Sequence, residues 1–497
     1  MEPKVIIRGA ESNRRSPRSC GLDSEMQGRG DVVGGITVNC FVPTGSPHMR
    51  TKILLIYPRY IEKGVAEFPP LGVGYLASYL LSKHEDINIK VIDFMVEPNP
   101  IDLLRKELTD FNPDIVGIST LTLNFHNAAL TAELVRKINP NIPIAIGGIH
   151  ATVDSEECLD YCDIVIRGEG EESFDEIVRG QELHAIRGIS YSKNGKIFHN
   201  EERERIQDLD SLPFPAYHLF KMERYKKAGI IGERGCPFNC IYCSSPNMWG
   251  RIVRFRSPEN IIKEIEYLFN KFGTQQITFH DDTFNLDPKR AMEICDLIIK
   301  RGLNKNMHFE CQMRVNEQLT PNELFRKMKE ANFTHILFGI ESGSNRVLKS
   351  INKAITPDEV KRAIKLAREA GINWITGFFM VGNWDETVWD VMKTWALILS
   401  NDIDMKITIC TPLPGTRLHS MLSREGYMNN DLNWNDFDWG SAVTRTNRMS
   451  KELISVMYML SLLLLHLPTG LLRGKRIKDI ISNTINYVQY KIRYILA

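Results

Sequence analysis

Three cysteines stand close together in one short segment of the chain. Cys236, Cys240 and Cys243 are four and three residues apart in ERGCPFNCIYCSSP, directly after an apolar stretch. Thiolates are the usual ligands of iron–sulfur clusters. Three ligands on one loop hold three irons of a cubane and leave the fourth open, as catalytic metal sites require. The spacing therefore predicts a 4Fe–4S cluster with these three residues as its metal ligands.

An open iron offers a place for S-adenosylmethionine (SAM), which can chelate it through its amino and carboxylate groups. One electron from the cluster then breaks the sulfonium C–S bond and gives a 5′-deoxyadenosyl radical. A zinc site is the alternative, but zinc prefers C-x2-C pairs and four closed ligands. The cysteines Cys295, Cys311 and Cys410 are distant and lie within predicted helices or strands. The segment thus predicts a radical enzyme with Cys236, Cys240 and Cys243 as its catalytic centre.

Length and composition narrow the class of protein. The chain has 497 residues, enough for two to four domains, and its 25% charged residues are ordinary for a soluble protein. A net charge of +1 gives no reason to expect a nucleic-acid partner. The scattered cysteines and the lack of a signal-like N-terminal stretch favour reduced thiols and a cytoplasmic protein.

The first fifty residues show neither a helical nor a strand period. They end near Gly45–Met49 (GSPHM), which is typical of a cloning remnant, although a native leader fits equally well. We therefore set residues 1–50 aside as a leader or tag.

Residues 51–180 alternate between short apolar runs and helical patterns. This alternation predicts a Rossmann-like, doubly wound parallel sheet that binds its ligand at the carboxyl ends of the strands. Small residues that let the backbone approach a ligand follow these strands, although they could also serve only tight turns. The candidates are Ser119, Thr120, Gly147, Gly148, His150, Gly168, Glu169 and Gly170.

A second α/β series follows a predicted linker at 181–229, which holds a hairpin around Gly195 and a proline-rich stretch. Residues 230–425 contain about six strand–helix units, too few for an eight-stranded barrel, so we expect a partial (β/α)6 TIM barrel. Several of its helices begin with proline after a Ser, Asp or Thr cap.

Residues 426–497 are predicted to form a helical C-terminal region. Leu453–Leu467 is strongly apolar but short for a bilayer span, and Pro468 and Gly470 are expected to end it. The segment 468–497 is basic, with six Lys or Arg against one Asp. The helix could cap a domain, lie on a membrane surface or line an apolar channel.

The barrel region resembles the radical SAM superfamily over residues 230–420. The C-x3-C-x2-C spacing matches, and aromatic Tyr242 precedes the last cysteine. The resemblance implies SAM contacts from residues at strand ends, namely Tyr242, Asp281, Asp282, Arg314, Glu341, Ser342 and Gly382. The segment His280–Phe284 departs from the family's Gly-Gly-Glu, and Asn383-Trp384 departs from its usual turn.

The two halves together resemble the cobalamin-dependent radical SAM enzymes. The matching motifs are FPPLG with Pro70 and Leu71, GGIHAT from Gly147, and RGEGE from Arg167. The resemblance implies a cobalamin site in the first domain. Many cobalamin proteins carry a cobalt-binding His after the first strand, and this chain has none there. We therefore expect base-off cobalamin without a His ligand, with His126 and His150 serving in packing or hydrogen bonding.

This resemblance implies methyl transfer to an unactivated carbon or phosphorus centre, using two SAM molecules. The alternative is a radical cyclase or oxidoreductase without methyl transfer, acting on a porphyrin- or lipid-like substrate. A sensor without turnover has no need for an open iron. We expect a small, apolar substrate, lipid- or ring-like, and an external electron donor such as flavodoxin or ferredoxin. The C-terminal tail would allow peripheral membrane contact.

Overall fold

The computed structural model describes residues 51–59, 66–428, 434–437 and 439–472. The predicted leader, residues 1–50, and the basic segment from 473 onward lie outside the described residues. Two main sheets, one in each half of the chain, make up the fold and confirm the predicted class.

The N-terminal sheet has seven strands in the order β2-β1-β3-β4-β5-β6-β7. The first five are parallel, and the order reverses between β1 and β3, which is the point where such sheets bind ligands. The strands are β1 Thr51–Tyr57, β2 Ile87–Asp93, β3 Ile115–Ser119, β4 Ile144–Gly147, β5 Ile164–Ile166, β6 Ile189–Lys193 and β7 Lys196–His199.

Helices cover both faces of this sheet, so β1 is apolar at successive positions. Ile53 and Leu55 belong to one buried cluster, and Leu54 and Ile56 to the other. The helices are α1 Leu71–Lys83, α2 Pro100–Lys106, α3 Phe125–Ile138, α4 Ile149–Val153, α5 Ser155–Leu159 and α6 Glu171–Val178.

The segment predicted as a linker takes part in the sheet. Its hairpin forms β6 and β7, which add two antiparallel strands beside β5. Ile189 and Tyr191 are buried, whereas all four residues of β7 are exposed, including the apolar Ile197 and Phe198. Only residues 200–227 connect the two sheets without strands, through short 3-10 turns.

The second sheet has six parallel strands in the order β15-β14-β13-β12-β11-β8. Within the described chain its first and last strands do not pair, so the barrel is open, as predicted. The strands are β8 Ala228–Ile230, β11 Gln276–Phe279, β12 His308–Met313, β13 Phe333–Glu341, β14 Trp374–Val381 and β15 Asp404–Ile409, with a small ribbon of β9 Glu233–Arg234 and β10 Arg254–Phe255.

Capped helices connect the barrel strands, and because these strands are parallel their carboxyl ends meet at one rim. Ser257 accepts a hydrogen bond from the Asn260 amide at 3.2 Å, and Thr356 one from Glu359 at 3.2 Å. Such caps stabilise a helix by about 1 kcal/mol each. The helices are α7 Ser245–Trp249, α8 Pro258–Phe272, α9 Pro288–Lys300, α10 Asn322–Glu330, α11 Asn345–Ser350, α12 Pro357–Glu369, α13 Val388–Asn401 and α14 Arg417–Arg424.

The two halves share one hydrophobic core. Leu71 and Tyr75 of α1, from the N-terminal half, are 8% and 4% exposed and belong to the same buried cluster as Ile230 and Ile261 of the barrel. Helix α1 of the N-terminal half therefore packs against the barrel, near β8.

Helix α15, Lys451–Leu472, closes the described part of the chain. Ile454, Met457 and Leu465 are buried in the barrel core, which supports a capping helix. The helix was expected to end at Pro468, but it continues to Leu472, because proline removes one hydrogen bond and still allows the helical φ. Among the helices the structure describes, none is both long and apolar enough to span a membrane.

Candidate active site

The cysteine loop runs between β9 and α7, at the rim of the barrel. Cys236, Cys240 and Cys243 are free thiols and are partly exposed. Gly235 permits the entry to this loop, because its φ is +111° and an added Cβ would lie 2.5 Å from the Ile252 carbonyl oxygen. The three cysteines predicted to bind the cluster thus lie on one partly exposed loop.

The chemistry of these donors suits a cluster. Burial raises the pKa of the Cys243 thiol to about 12 and also raises that of Cys236, whereas bound iron would deprotonate both thiols. Among the described residues, no three His, Cys, Asp or Glu side chains are gathered as ligands of one metal ion. A cubane cluster does not require three ligands around one metal ion, because each of its thiolates binds a separate iron. Arg314 Nη1 lies 3.8 Å from Cys240 Sγ, where its charge would stabilise an anionic cluster.

Arg314 was predicted to contact SAM, and the structure ties it to the loops around the cluster. Its guanidinium lies over the Phe238 ring at 3.7 Å, its Nε donates to Asn316 Oδ1 at 3.0 Å, and its Nη2 donates to the Lys353 carbonyl oxygen. All three nitrogens have protein partners, so Arg314 positions the cysteine loop against residue 353.

Asp281 lies behind the cysteine loop rather than on its open side. It is 1% exposed, and its Oδ1 accepts hydrogen bonds from the amides of Gly232 and Glu233 at 2.5 and 3.2 Å. Burial raises the pKa of Asp281 to about 6, and the Arg290 guanidinium opposes this rise. Asp282, by contrast, is exposed and accepts a hydrogen bond from Ser245. Of the two predicted contacts, only Asp282 is accessible to a ligand.

Glu341 stands at a bulge near the end of β13, with a φ of +70°. Its Oε1 accepts a hydrogen bond from Lys353 Nζ at 2.8 Å, and Lys353 also lies 3.3 Å from the Tyr242 hydroxyl. A Cβ at Gly339 would stand 2.8 Å from Lys353 Nζ, so glycine makes room for the lysine. Lys353 thus brings together Tyr242 and Glu341, two of the residues predicted to contact SAM, and Tyr242 directly precedes Cys243.

Two further predicted SAM contacts are placed in packed turns. Ser342 is fully buried and lies 3.3 Å from the Thr394 hydroxyl. Gly382 has a φ of +83°, and a Cβ there would lie 2.9 Å from Ile454 of α15. The Glu386 carboxylate accepts the Gly382 amide at 2.7 Å. Ser342 and Gly382 therefore support the rim of the barrel by packing and hydrogen bonding.

Glu386 gives a prediction for stability against pH. Burial raises its pKa from 4.5 to about 8, so between these values the folded protein binds more protons than the unfolded chain. The free energy of unfolding should therefore fall as pH rises from 4.5 to 8, by up to about 1.4 kcal/mol per pH unit. In Glu386→Gln this fall should become clearly smaller, as measured by urea unfolding at pH 5 and pH 8; the part that remains is expected from Asp281, whose pKa is also raised, to about 6. The exposed control Glu330→Gln should keep the wild-type dependence; an unchanged dependence in Glu386→Gln would contradict the prediction.

A cavity of about 140 Å³ lies at the carboxyl edge of the N-terminal sheet. Six of the eight residues predicted at this edge line it, namely Ser119, Gly147, Gly148, Gly168, Glu169 and Gly170. Neither Gly72 nor Gly168 would bring a Cβ within 4 Å of another atom, so both face open space. The barrel contributes Ile231, Arg234, Met248 and Trp249 to the same cavity.

Other predicted residues lie beneath the cavity instead of lining it. Thr120 is fully buried, and a Cβ at Gly148 would stand 2.3 Å from its carbonyl oxygen. His150 is also fully buried, 4.1 Å from the Phe125 ring and 4.9 Å from Trp434. Pro70 caps α1, and Leu71 packs in the shared core. These residues support the cavity edge by packing.

Sequence reasoning missed two charged residues at the site, Arg234 and Lys353. Arg234 is 3% exposed and forms ion pairs with Glu169 and Glu171 at 2.7 Å each. Glu169 was predicted to contact a cofactor, but both its oxygens accept hydrogen bonds from arginines. The sequence held two hints of this pairing, namely the acidic RGEGE motif and an arginine two residues before Cys236.

Models of two protein families match the chain in order. The B12 binding domain matches residues 60–178, and the radical SAM superfamily matches residues 230–395. The first match covers the sheet that carries the cavity, and the second covers the barrel that carries the cysteine loop.

Two curated relatives extend over most of the chain. An uncharacterised methyltransferase of Pyrococcus horikoshii is 36% identical over 463 residues, which cover 90% of this chain and 98% of the relative. The anaerobic magnesium-protoporphyrin IX monomethyl ester cyclase of Rubrivivax gelatinosus is 29% identical over 394 residues, covering 75% of this chain and 70% of the relative.

Solved structures share the whole architecture. The cobalamin-dependent SAM radical enzyme OxsB superposes with a TM-score of 0.72 at 18% identity, covering 89% of this chain and 71% of that one. The radical SAM methyltransferase TsrM of Kitasatospora setae gives 0.66 at 15% identity, covering 82% and 84%. With both family models matched in order and a 36% identical relative aligned over nearly its full length, the chain belongs to the cobalamin-dependent radical SAM enzymes.

Proposed function

We propose that this enzyme transfers a methyl group from SAM to an unactivated carbon or phosphorus centre of a small substrate. The observation that carries the proposal is the shared cavity, which glycine loops of the sheet line together with Arg234, Met248 and Trp249, close to the cysteine loop. A cofactor in this cavity would face the cluster. The methyltransferase of Pyrococcus horikoshii, aligned over 98% of its length, supports the same reaction.

The residues present fit both implied cofactors. When bound, the cluster supplies the electron that cleaves SAM, and cobalamin supplies the methyl group. The three free cysteines would hold the cluster, and Tyr242, Asp282 and Glu341 stand where they could bind SAM beside it. The cavity, with open space at Gly72 and Gly168, would accept part of cobalamin, such as its nucleotide tail.

We infer that cobalamin binds base-off. No histidine is among the described residues that line the cavity. Strand β1 continues into Pro58 and Arg59, whose backbone oxygens accept hydrogen bonds from Asn124 and Asn127. His150 is enclosed by aromatic rings, and His126 is exposed on α3. A spectrum typical of His-ligated cobalt would overturn this inference.

The substrate is proposed to be apolar, lipid- or ring-like, and the electron donor to be a small carrier such as flavodoxin or ferredoxin. The outward face of α15 supports an apolar contact, because Leu453, Val456, Leu460 and Leu464 are 36–52% exposed there. This face also supports peripheral membrane contact, which flotation with lipid vesicles would test.

Product analysis tests methyl transfer without knowledge of the substrate. The cluster-loaded enzyme, incubated with SAM and a reductant, should release S-adenosylhomocysteine only when cobalamin is added. A radical cyclase or oxidoreductase is the second candidate, since the magnesium-protoporphyrin cyclase aligns over 75% of this chain. It would yield 5′-deoxyadenosine and no S-adenosylhomocysteine. That outcome would overturn methyl transfer in favour of the second candidate.

A further inference from the structure

A buried network of four charged side chains joins the two halves of the protein. Arg234 Nη1 lies 2.7 Å from Glu169 Oε1, and Arg234 Nη2 lies 2.7 Å from Glu171 Oε1. Arg254 Nη1 lies 2.8 Å from Glu169 Oε2. The four residues are 3–6% exposed, and their charges balance. Charged groups that are this buried have strongly directional interactions and no water to replace a lost partner.

Each end of this network stands at a cofactor site. Glu169 lies between Gly168 and Gly170 and, with Glu171, lines the cavity of the N-terminal sheet. Arg234 is two residues before Cys236, at the start of the cysteine loop. The network is therefore a direct connection between the cavity wall and the cluster ligands.

Arg234 also forms part of the cavity wall itself. Its guanidinium lies 4.9 Å from the Trp249 ring and 5.2 Å from the Tyr75 ring, and both aromatic residues line the cavity. A molecule that fills the cavity would contact the guanidinium of Arg234, which lies two residues before Cys236 in the chain.

The ribbon that carries the cysteine loop is held on both strands. Arg254 pairs with Arg234 in the ladder of β9 and β10, and both arginines reach Glu169. The Ile206 amide donates to Glu169 Oε2 at 2.8 Å, which fixes the carboxylate from a third side. A displacement of the RGEGE turn would thus displace the ribbon and the first cysteine with it.

We propose that Arg234 is a positioning residue that couples the two cofactor sites, so that cluster loading and cobalamin binding strengthen each other. The inference rests on the proposed function, since it takes cobalamin as the occupant of the cavity. Such coupling is reciprocal and amounts typically to about 5–150-fold in affinity. Lysine at position 234 would keep the charge but lose the fork that reaches two carboxylates.

The test measures the dissociation constant of hydroxocobalamin, by equilibrium dialysis, for cluster-free and cluster-reconstituted full-length protein. Cluster loading should tighten binding by about fivefold or more in the unchanged chain. In Arg234→Lys this factor should fall to about one. Glu171→Gln, a milder change that keeps a hydrogen-bond acceptor, should reduce it part of the way. Circular dichroism shows that each variant is folded before its factor is read.

Arg203→Lys is the matched control. Arg203 bridges Glu172 and Glu176 of α6 and makes no contact with the cysteine loop, so its variant should keep the full factor. The inference is overturned if folded Arg234→Lys and Glu171→Gln retain the factor, if Arg203→Lys loses it equally, or if the unchanged chain binds cobalamin with no dependence on the cluster. No cobalamin binding in either state would overturn the proposed function, and the inference with it.

Discussion

Replacing any one of Cys236, Cys240 and Cys243 by alanine is expected to abolish the cluster and, with it, SAM cleavage. Each thiolate would ligate a separate iron, so two remaining ligands cannot hold a cubane on this partly exposed loop. After anaerobic reconstitution, the unchanged chain should carry about four irons and show the EPR signal of a reduced cubane. The three variants should carry almost none, and 5′-deoxyadenosine formation should fall to background.

Cys295→Ala is the control for this experiment. Cys295 is fully buried in α9, among side chains of the barrel core. Its variant loses one buried sulfur and some stability, but it should keep the iron content and the EPR signal. An intact cluster in any of the three loop variants would contradict the assignment of the ligands.

Gly72→Leu is expected to block cobalamin binding while leaving the fold intact. Gly72 lines the cavity from α1, and an added Cβ would meet no atom within 4 Å. The Cβ of a leucine would therefore displace no protein atom, and its longer side chain is expected to extend into the cavity. Leucine also has a higher helix propensity than glycine, by up to about 1 kcal/mol, so the melting temperature should not fall. The dissociation constant of hydroxocobalamin should rise at least tenfold.

Ser82→Leu separates an effect of the cavity from an effect of the added leucine. Ser82 is exposed near the other end of α1 and does not line the cavity. Its variant should bind cobalamin like the unchanged chain. In Gly72→Leu, S-adenosylhomocysteine formation should stop while 5′-deoxyadenosine formation at the cluster continues. Unchanged cobalamin affinity in Gly72→Leu would exclude this cavity as the site.

Local patterns were sufficient to predict most of the fold. The buried run Lys52–Tyr57 and the capped helix Pro258–Phe272 reflect short-range rules of burial and capping, and the structure confirms both. The hairpin around Gly195 was predicted and forms β6 and β7, but it was assigned to a linker, because its pairing with β5 joins it to a distant strand of the sheet. The continuation of α15 past Pro468 was missed for a different reason, because the proline was given too much weight as a helix breaker.

The site was predicted less completely, because its geometry depends on contacts between distant parts of the chain. The cysteine spacing is local, so it could be recognised directly. Asp281 is next to Asp282 in sequence, yet one lies behind the loop and the other is exposed, which only the packing decides. The ion pair between Arg234 and Glu169 joins residues 65 positions apart, and the spacing of apolar and polar residues cannot predict such a long-range contact.

The core shared by α1 and the barrel has a consequence for how the protein is made. Leu71 and Tyr75 leave the ribosome early, but their partners in α8, such as Ile261, are synthesised almost 200 residues later. At a translation rate of about 5–20 residues per second, this apolar surface of α1 stays exposed for roughly 10–40 s before α8 is synthesised. The N-terminal sheet should therefore need chaperone protection during translation, and the halves should fold poorly when expressed apart.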